Sequence, residues 1–180
     1  MRAFLAVEPP GEAREALLSA VRSLSSQRRW LRPVGEDQLH LTLRFFADIP
    51  EGSSEEIREA LSSARLMAFT TRLAGSGAFP DWRKPRVVWQ GLSPEGWDTL
   101  HREVDGALAA LGLGRDERFS AHITLARVRT PGTPSEVEAV RSITLAGIEF
   151  PVEELLFKKS VLTPQGARHT TLWKLPLHDP

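Results

Sequence analysis

Cysteine and asparagine are both missing from this sequence. The absence of cysteine excludes disulfide bonds, a thiolate nucleophile and thiolate metal ligands. Glutamine occurs at only four positions, and such a scarcity of thermolabile side chains fits a thermophilic source. A GC-rich genome would equally explain the excess of arginine over lysine. Composition therefore leaves the source open between a thermophile and a GC-rich mesophile.

An excess of charge and a long apolar run are also missing. With 23 basic and 23 acidic residues the formal net charge is zero, so the chain has no bulk affinity for nucleic acid or membranes. Any RNA binding must be local. Residues 1–10 lack the apolar core of a signal peptide, and no segment nears about 18 consecutive apolar residues. We therefore expect a soluble cytosolic protein, and a monomer.

One four-residue phrase is present twice, His-Leu-Thr-Leu at residues 40–43 and His-Ile-Thr-Leu at residues 122–125. Each copy lies in an apolar, β-prone run, which predicts a strand. Because side chains along a strand alternate between faces, each histidine shares a face with its threonine, with Cα atoms about 7 Å apart, while the aliphatic residues point into a core. The side chains expected on the polar face are His40, Thr42, His122 and Thr124.

The sequence around the two phrases repeats as well. Each phrase follows a predicted strand and helix, and each precedes a polar loop and a Ser/Thr-x-x-Glu helix start, at residues 53–56 and 133–136. The economical interpretation is a duplicated unit folded about a pseudo-two-fold axis. Its 180 residues, 41% of them hydrophobic, suffice for one domain of two lobes, approximated by residues 1–80 and 86–180.

Periodicity and turn formers predict the remaining elements. Ser53 and Ser93 are expected as helix N-caps, with Pro94 at the first helical position. The glycines of residues 75–77 are expected to end a strand, and the loop at 79–85 is expected as the seam between the two units. Strands are predicted at 2–7, 69–73, 86–91, 154–162 and 169–175, with a turn at 163–166, and helices at 12–27, 53–67 and 93–111.

Three other features have competing interpretations. The basic stretch at residues 28–33 would either bind RNA through arginines interleaved with Trp30 or, as we prefer, pack Trp30 inward and leave its arginines solvated. His101 falls beside an apolar helical stripe and is interpreted as structural. His169 and His178 have no partner in the repeat and are interpreted as bystanders. The glycines match neither a phosphate loop nor a dinucleotide fingerprint, so no cofactor is indicated.

Two His-x-Thr pairs that face one another suit a displacement at phosphorus. Such a reaction needs a base for the attacking oxygen and, on the opposite side, an acid for the leaving oxygen, and imidazole can serve as either. The threonine hydroxyls can donate to the non-bridging oxygens. A strained cyclic phosphate would react in such a site without a metal.

The chain resembles the 2H phosphoesterase superfamily, which is named for two His-x-Thr-x motifs, and most closely its RNA 2′,3′-cyclic phosphodiesterase branch, also called 2′-5′ RNA ligases. The resemblance spans residues 39–45, 79–89, 121–127 and 160–166. It implies a bilobal α+β fold with antiparallel sheets lining a central cleft. It also implies that His40 protonates the leaving O3′ and that His122 activates water, which gives a 2′-phosphate end.

Phe45 and Arg127 each follow a motif histidine by five positions. Strict alternation turns both away from the histidines, so a functional role requires each strand to end or to bulge first. One interpretation is a core phenylalanine and a surface arginine. The other, which the resemblance favours, is that Phe45 stacks on a base and Arg127 binds phosphate or ribose. Alternation places Arg44 on the histidine face, where it would contact RNA or lower a histidine pKa.

Other functions remain open from the sequence. A non-catalytic RNA-binding module would keep the clamp without turnover. A metal hydrolase would use His40 and His122 as ligands, although no carboxylate repeats near both phrases and two ligands rarely suffice. Within the superfamily, the substrate is an RNA with a 2′,3′-cyclic phosphate end, including tRNA halves, or a small cyclic nucleotide or ADP-ribose cyclic phosphate.

Overall fold

A computed structural model describes residues 1–116, 119–164 and 166–179. Nine strands and four α-helices are described in these ranges, together with short 3₁₀ turns at Leu24–Gln27 and Glu36–Gln38. Gln165, in the predicted turn at 163–166, lies outside the described residues. The elements in chain order are β1 Ala3–Val7, α1 Gly11–Ser23, β2 Leu31–Pro33, β3 Leu41–Phe46, α2 Ser53–Ser63, β4 Phe69–Phe79, β5 Val87–Leu92, α3 Trp97–Ala109, β6 His122–Val128, α4 Pro134–Arg141, β7 Glu149–Val152, β8 Glu154–Thr163 and β9 Gly166–Pro176.

The strands form an antiparallel sheet with the two motif strands, β6 and β3, at its centre and three further strands on either side along the main strand order. The order is β7-β4-β5-β6-β3-β1-β8-β9, and β2 pairs with β6. At the centre, Leu41 of β3 pairs with Ile123 of β6. These two residues each follow a motif histidine by one position, so an antiparallel pair between them defines a local two-fold axis. The α+β fold and the pseudo-two-fold duplication are therefore confirmed.

Strands pair across the two predicted sequence units. Strand β4 of the first unit pairs with β5 of the second, and β8 of the second unit pairs with β1 of the first. Each half of the sheet consequently contains strands from both units. The loop at 79–85 joins the paired strands β4 and β5, and its interpretation as the seam between the two units stays a prediction. The repeat units themselves, residues 1–80 and 86–180, stay a prediction.

One apolar core holds the sheet and helices together. Leu41, Leu43, Ile123 and Leu125 are all buried in it, as alternation predicts. Since the intervening residues point away from this core, the opposite face of β3 and β6 is left for polar side chains. Among the described helices, none has an apolar stretch long enough to cross a bilayer.

Two predicted helix N-caps are wrong. Ser53 is the first residue of α2, and Gly52 precedes it without a side-chain cap. Helix α3 begins at Trp97 after Gly96, whose φ of +83° and whose closeness to the Phe69 ring favour glycine. Ser93 instead is buried beside the Thr71 hydroxyl, 3.3 Å away, and accepts the Arg72 N–H. The local sequence resembles an N-cap, but the Ser93 side chain pairs with the buried Thr71 hydroxyl instead.

The remaining helix boundaries follow the sequence more closely. Thr133 caps α4 in a capping box, and the carboxylate of Glu136 accepts the Thr133 N–H at 2.7 Å, as predicted. Helices α2 and α3 end at Ser63 and Ala109, a few residues earlier than predicted, which leaves Leu111 exposed.

The glycines at residues 75–77 lie inside β4, not at its end. The strand continues to Phe79 through an irregularity between Leu73 and Ser76. Gly77 is required there because the indole of Trp89 lies across it, and a Cβ would approach the Trp89 ring to 2.1 Å. The glycine therefore permits close packing within a strand instead of a turn.

Arg44 does not lie on the histidine face. Its guanidinium is buried and donates to the Asp105 carboxylate at 2.8 Å and to the Leu113 carbonyl at 2.8 Å. The second Asp105 oxygen accepts the backbone N–H of Asp116 at 2.8 Å. This pair ties β3 to the residues that follow α3, so the predicted contact of Arg44 with RNA is wrong and its role is structural.

We expect Arg44→Ala to destabilise the protein by about 3–5 kcal/mol, since it leaves the Asp105 carboxylate buried without its cation. Chemical denaturation measures the free energy of unfolding. Arg58→Ala is the matched control, because Arg58 pairs with Glu55 on the surface of α2 and an exposed pair contributes about 0–1 kcal/mol. Equal stability of the two variants would contradict the assigned role of Arg44.

Candidate active site

A cleft of about 520 Å³ opens on the polar face of β3 and β6. Because Leu41 pairs with Ile123, the residues that flank this pair are brought together from the two halves of the sheet. The structure thus places both His-x-Thr pairs in one cleft, as the sequence predicts. The four side chains concerned are His40, Thr42, His122 and Thr124.

A bulge in each central strand brings further side chains into the cleft. In β3, Leu5 lies opposite Arg44 and Ala6 opposite Thr42, so Leu43 is an extra residue. In β6 the extra residue is Leu125, at the same place in the second phrase. After each bulge the alternation is shifted by one residue, so side chains expected to point away from the cleft point into it.

The exchange of faces explains where the next residues point. Phe45 and Arg127 both line the cleft, which meets the condition for a functional role. Arg44 and Ala126, one position earlier, are buried. Strict alternation was therefore the wrong rule for Arg44, because it ignores the bulge.

The imidazole of His40 is held between two aromatic rings. Its centroid lies 4.9 Å from that of Phe4, nearly parallel, and 5.3 Å from that of His169, edge-on. Burial, the neighbouring His169 and Lys158 together lower the pKa of His40 to about 3, although the Asp37 backbone acts in the opposite direction. Nδ1 is buried, and none of the described residues forms a hydrogen bond of good geometry with it.

His122 has a different environment. Its Nδ1 lies 2.7 Å from the Ser120 carbonyl oxygen, which can only accept, so Nδ1 carries the proton of the neutral ring and Nε2 keeps a lone pair. Phe79 packs edge-on against the ring at 4.9 Å. Burial lowers the pKa of His122, and the Ser120 carbonyl partly opposes this.

His169 is part of the cleft, so its interpretation as a bystander is wrong. It lies on β9 opposite Ser160 and contacts both Phe4 and His40. The repeat gave no signal for it because β9 has no phrase of its own. The sequence predicted the terminal hairpin that carries His169, but it did not show that β8 of this hairpin pairs with β1.

The remaining predictions around the cleft have mixed outcomes. Trp30 is fully buried, as preferred, but Arg32 from the same basic stretch lines the cleft. His101 stacks on Phe119 with ring centroids 4.5 Å apart, outside the cleft, which agrees with a structural role. His178 is exposed in the tail.

The cleft is locally cationic although the whole chain is neutral. Among the described residues that line it, three are arginines, Arg2, Arg32 and Arg127, and one, Asp37, is a carboxylate. The Arg2 guanidinium also lies 4.5 Å from the centre of the Phe45 ring. Guanidinium groups beside an exposed aromatic ring suit a phosphate that carries a base. Among the described residues no group of three or more His, Asp or Glu is arranged to hold a metal ion.

Comparison with known proteins agrees with this site. The family model for LigT-like phosphoesterases matches residues 7–89 and 93–169, and the chain belongs to this family. RNA 2′,3′-cyclic phosphodiesterases of Thermus thermophilus and Archaeoglobus fulgidus are 39% and 35% identical to it, over 98% and 92% of this chain and 90% and 94% of theirs.

Solved structures share the fold. A crystal structure of a Thermus thermophilus protein has a TM-score of 0.83 at 36% identity and covers 98% of both chains. The apo form of E. coli LigT has a TM-score of 0.77 at 27% identity and covers 98% of this chain and 96% of its own. The resemblance seen in the sequence is therefore confirmed at the level of family and fold.

We expect both motif histidines to be neutral in the free protein at pH 7, because burial lowers both pKa values. Imidazole NMR signals followed from pH 8 to pH 4 should show His122 titrating below 6.5 and His40 still neutral over most of that range. Inorganic phosphate should raise the pKa of both, since an anion in the cleft favours imidazolium. A His40 that titrates near 6.5 without ligand would contradict the described packing.

Proposed function

We propose that this protein hydrolyses 2′,3′-cyclic phosphodiester ends of RNA to 2′-phosphomonoesters, with His40 as the acid and His122 as the base. The observation that carries the proposal is the meeting of two equivalent His-x-Thr pairs in one cationic cleft. Relatives named RNA 2′,3′-cyclic phosphodiesterase support the substrate. The E. coli LigT structures with 3′-AMP and with phosphate support binding of a nucleotide phosphate.

The reaction is an in-line displacement at phosphorus. Nε2 of His122 takes a proton from water while the water oxygen bonds to phosphorus. The bond from phosphorus to O3′ breaks, and imidazolium at His40 gives its proton to that oxygen. The phosphate remains on O2′. Thr42 and Thr124 donate to the non-bridging oxygens, whose charge would otherwise repel the nucleophile.

The surroundings of the two histidines support this order of roles. Because the Ser120 carbonyl holds the proton on Nδ1 of His122, Nε2 has the lone pair that a base needs. His40 has no such carbonyl partner of good geometry in the described residues and lies among cations that lower its pKa. A bound phosphodiester anion supplies the charge that favours imidazolium at His40, so the acid gains its proton as substrate binds.

The rest of the cleft would bind the nucleotide. Phe45 is 40% exposed and can stack on a base. Arg127 can form paired hydrogen bonds with phosphate or donate to ribose. A cytoplasmic, monomeric protein would meet such RNA ends as they are produced.

The same proton transfers would join two RNA ends, including tRNA halves. A 5′-hydroxyl in place of water would give its proton to His122 and bond to phosphorus, and O3′ would leave with the proton of His40. The product is a 2′-5′ phosphodiester. Incubating a cyclic-phosphate fragment with a 5′-hydroxyl fragment would detect this product.

Product analysis tests the proposed function directly. A short RNA ending in 2′,3′-cyclic phosphate, incubated with the protein in EDTA, should be converted to the 2′-phosphate, since the imidazoles and hydroxyls supply the required groups. Unchanged RNA would support a binding module instead. A 3′-phosphate product would reverse the assignment of the leaving oxygen, and activity that needs added Zn²⁺ or Mn²⁺ would support a metal hydrolase.

Replacing either motif histidine by alanine should lower kcat about 10² to 10⁴-fold, the usual cost of losing one acid or base. Thr42→Ala and Thr124→Ala should cost less, because each removes one neutral hydrogen bond among several. Single-turnover kinetics on the same RNA measure the loss, and circular dichroism checks folding. Near-normal turnover in either histidine variant would remove that residue from the mechanism.

The pH profile of kcat/KM should be bell-shaped, with its maximum below pH 6.5. One histidine must be neutral and the other protonated, and both pKa values in the free protein are lowered from 6.5. The two limbs belong to the pair and not to single residues. In kcat the maximum should move to higher pH, because the bound anion favours imidazolium. A flat profile from about pH 4 to 8, around the reference pKa of imidazole, would contradict acid and base catalysis by these residues.

A further inference from the structure

His169 contacts the catalytic region without belonging to either motif. Its ring packs edge-on against Phe4, with centroids 4.8 Å apart, and edge-on against His40 at 5.3 Å. It lines the same cleft as His40 and His122. Its Nδ1 is buried, and the described part of the chain offers it no hydrogen-bond partner. A half-buried polar ring in this position has a cost that ordinary packing by an apolar residue would avoid.

We propose that His169 is a positioning residue for His40. It fixes the His40 ring against Phe4, and it prevents both imidazoles from being protonated at the same time in the free protein. Phe4 supports this geometry because it touches both rings, nearly parallel to His40 and edge-on to His169. The three rings therefore form one packed cluster, in which His40 cannot rotate without displacing a neighbour.

The charges around the cluster act in the same direction. Lys158 from β8 and Arg2 from the N-terminus lie near the pair, and both disfavour imidazolium there. Asp37 is the nearby carboxylate and opposes them. Lys158 is itself paired with Glu8, which weakens the effect of Lys158 on the two histidines. Across the cleft, Arg32 and Arg127 add further positive charge.

Two imidazolium rings at this separation would repel each other in a poorly solvated cleft. The charge of His169 accordingly follows burial as the second cause that lowers the pKa of His40. The consequence rests on the proposed function: His40 stays neutral until a phosphate anion enters, and proton uptake then accompanies substrate binding. His169 thus acts on the acid and not on the substrate.

Two substitutions separate the charge of His169 from its packing. His169→Phe keeps an aromatic ring against Phe4 and removes the charge, whereas His169→Gln removes both the charge and the ring. His178→Gln is the matched control, since His178 is exposed in the tail and its backbone bonds to Leu66 and Ala68 do not depend on the side chain. Circular dichroism verifies that each variant is folded.

NMR titration of His40 in the free protein tests the shared proton. We expect His40 to accept its proton at a pH higher by about one unit in both His169 variants, the coupling at which two groups titrate as a pair. The pH profile of kcat/KM should change with it, with the limb at lower pH moving upward, because His40 has the more strongly lowered pKa of the pair. His178→Gln should leave both unchanged. Identical His40 titrations in the wild type and both variants would overturn the proposal.

Steady-state kinetics on the cyclic-phosphate RNA test the positioning. His169→Gln should lower kcat about tenfold or more with little change in KM, because a loosened His40 is badly aligned in the transition state. His169→Phe should restore most of kcat. Wild-type kcat in His169→Gln would overturn the proposal as well. If the wild type itself does not turn over this RNA, the proposed function fails, and the titration of His40 with inorganic phosphate still decides the role of His169.

Discussion

The backbone pairing of Leu41 with Ile123 is the contact on which the site depends. These residues hold the same position in two copies of one phrase, so their pairing relates the halves of the sheet by a local two-fold axis. Both side chains are buried in the core. The neighbouring histidines must then point to the other face, where they meet. Burial of two aliphatic side chains thus places two imidazoles in one cleft.

The two halves of the sheet contribute equivalent residues to the cleft, but an acid and a base need different surroundings. The bulges at Leu43 and Leu125 are equivalent and turn Phe45 and Arg127 into the cleft together. Beyond this shared framework the surroundings differ. His40 lies against Phe4 and His169, whereas the corresponding neighbours of His122 are Phe79, Trp89 and the Ser120 carbonyl. The proposed acid and base roles of these two identical side chains rest on their unequal neighbours.

The sequence predicted correctly those features that depend on residues close together in the chain. The phrase strands, the burial of Leu41 and Ile123, and the Thr133 capping box follow from alternation and capping chemistry within a few residues. The pairing of β8 with β1 could not be predicted in this way, since these two strands lie far apart in the chain. Arg44 and His169 were misplaced for the same reason. The bulge that turns Arg44 inward and the place of the hairpin that carries His169 both depend on pairing with β1, which is distant in the chain from β3 and β8.

Opposite roles of the two symmetry-related histidines are tested most directly by the dependence of each variant on the leaving group. A nucleotide 4-nitrophenyl phosphodiester releases 4-nitrophenolate, which leaves readily without a proton, while the attacking water still needs a base. On this substrate His40→Ala should recover most of wild-type turnover, and His122→Ala should remain as impaired as on the cyclic-phosphate RNA. Equal losses in the two variants on both substrates would contradict the assignment of one acid and one base.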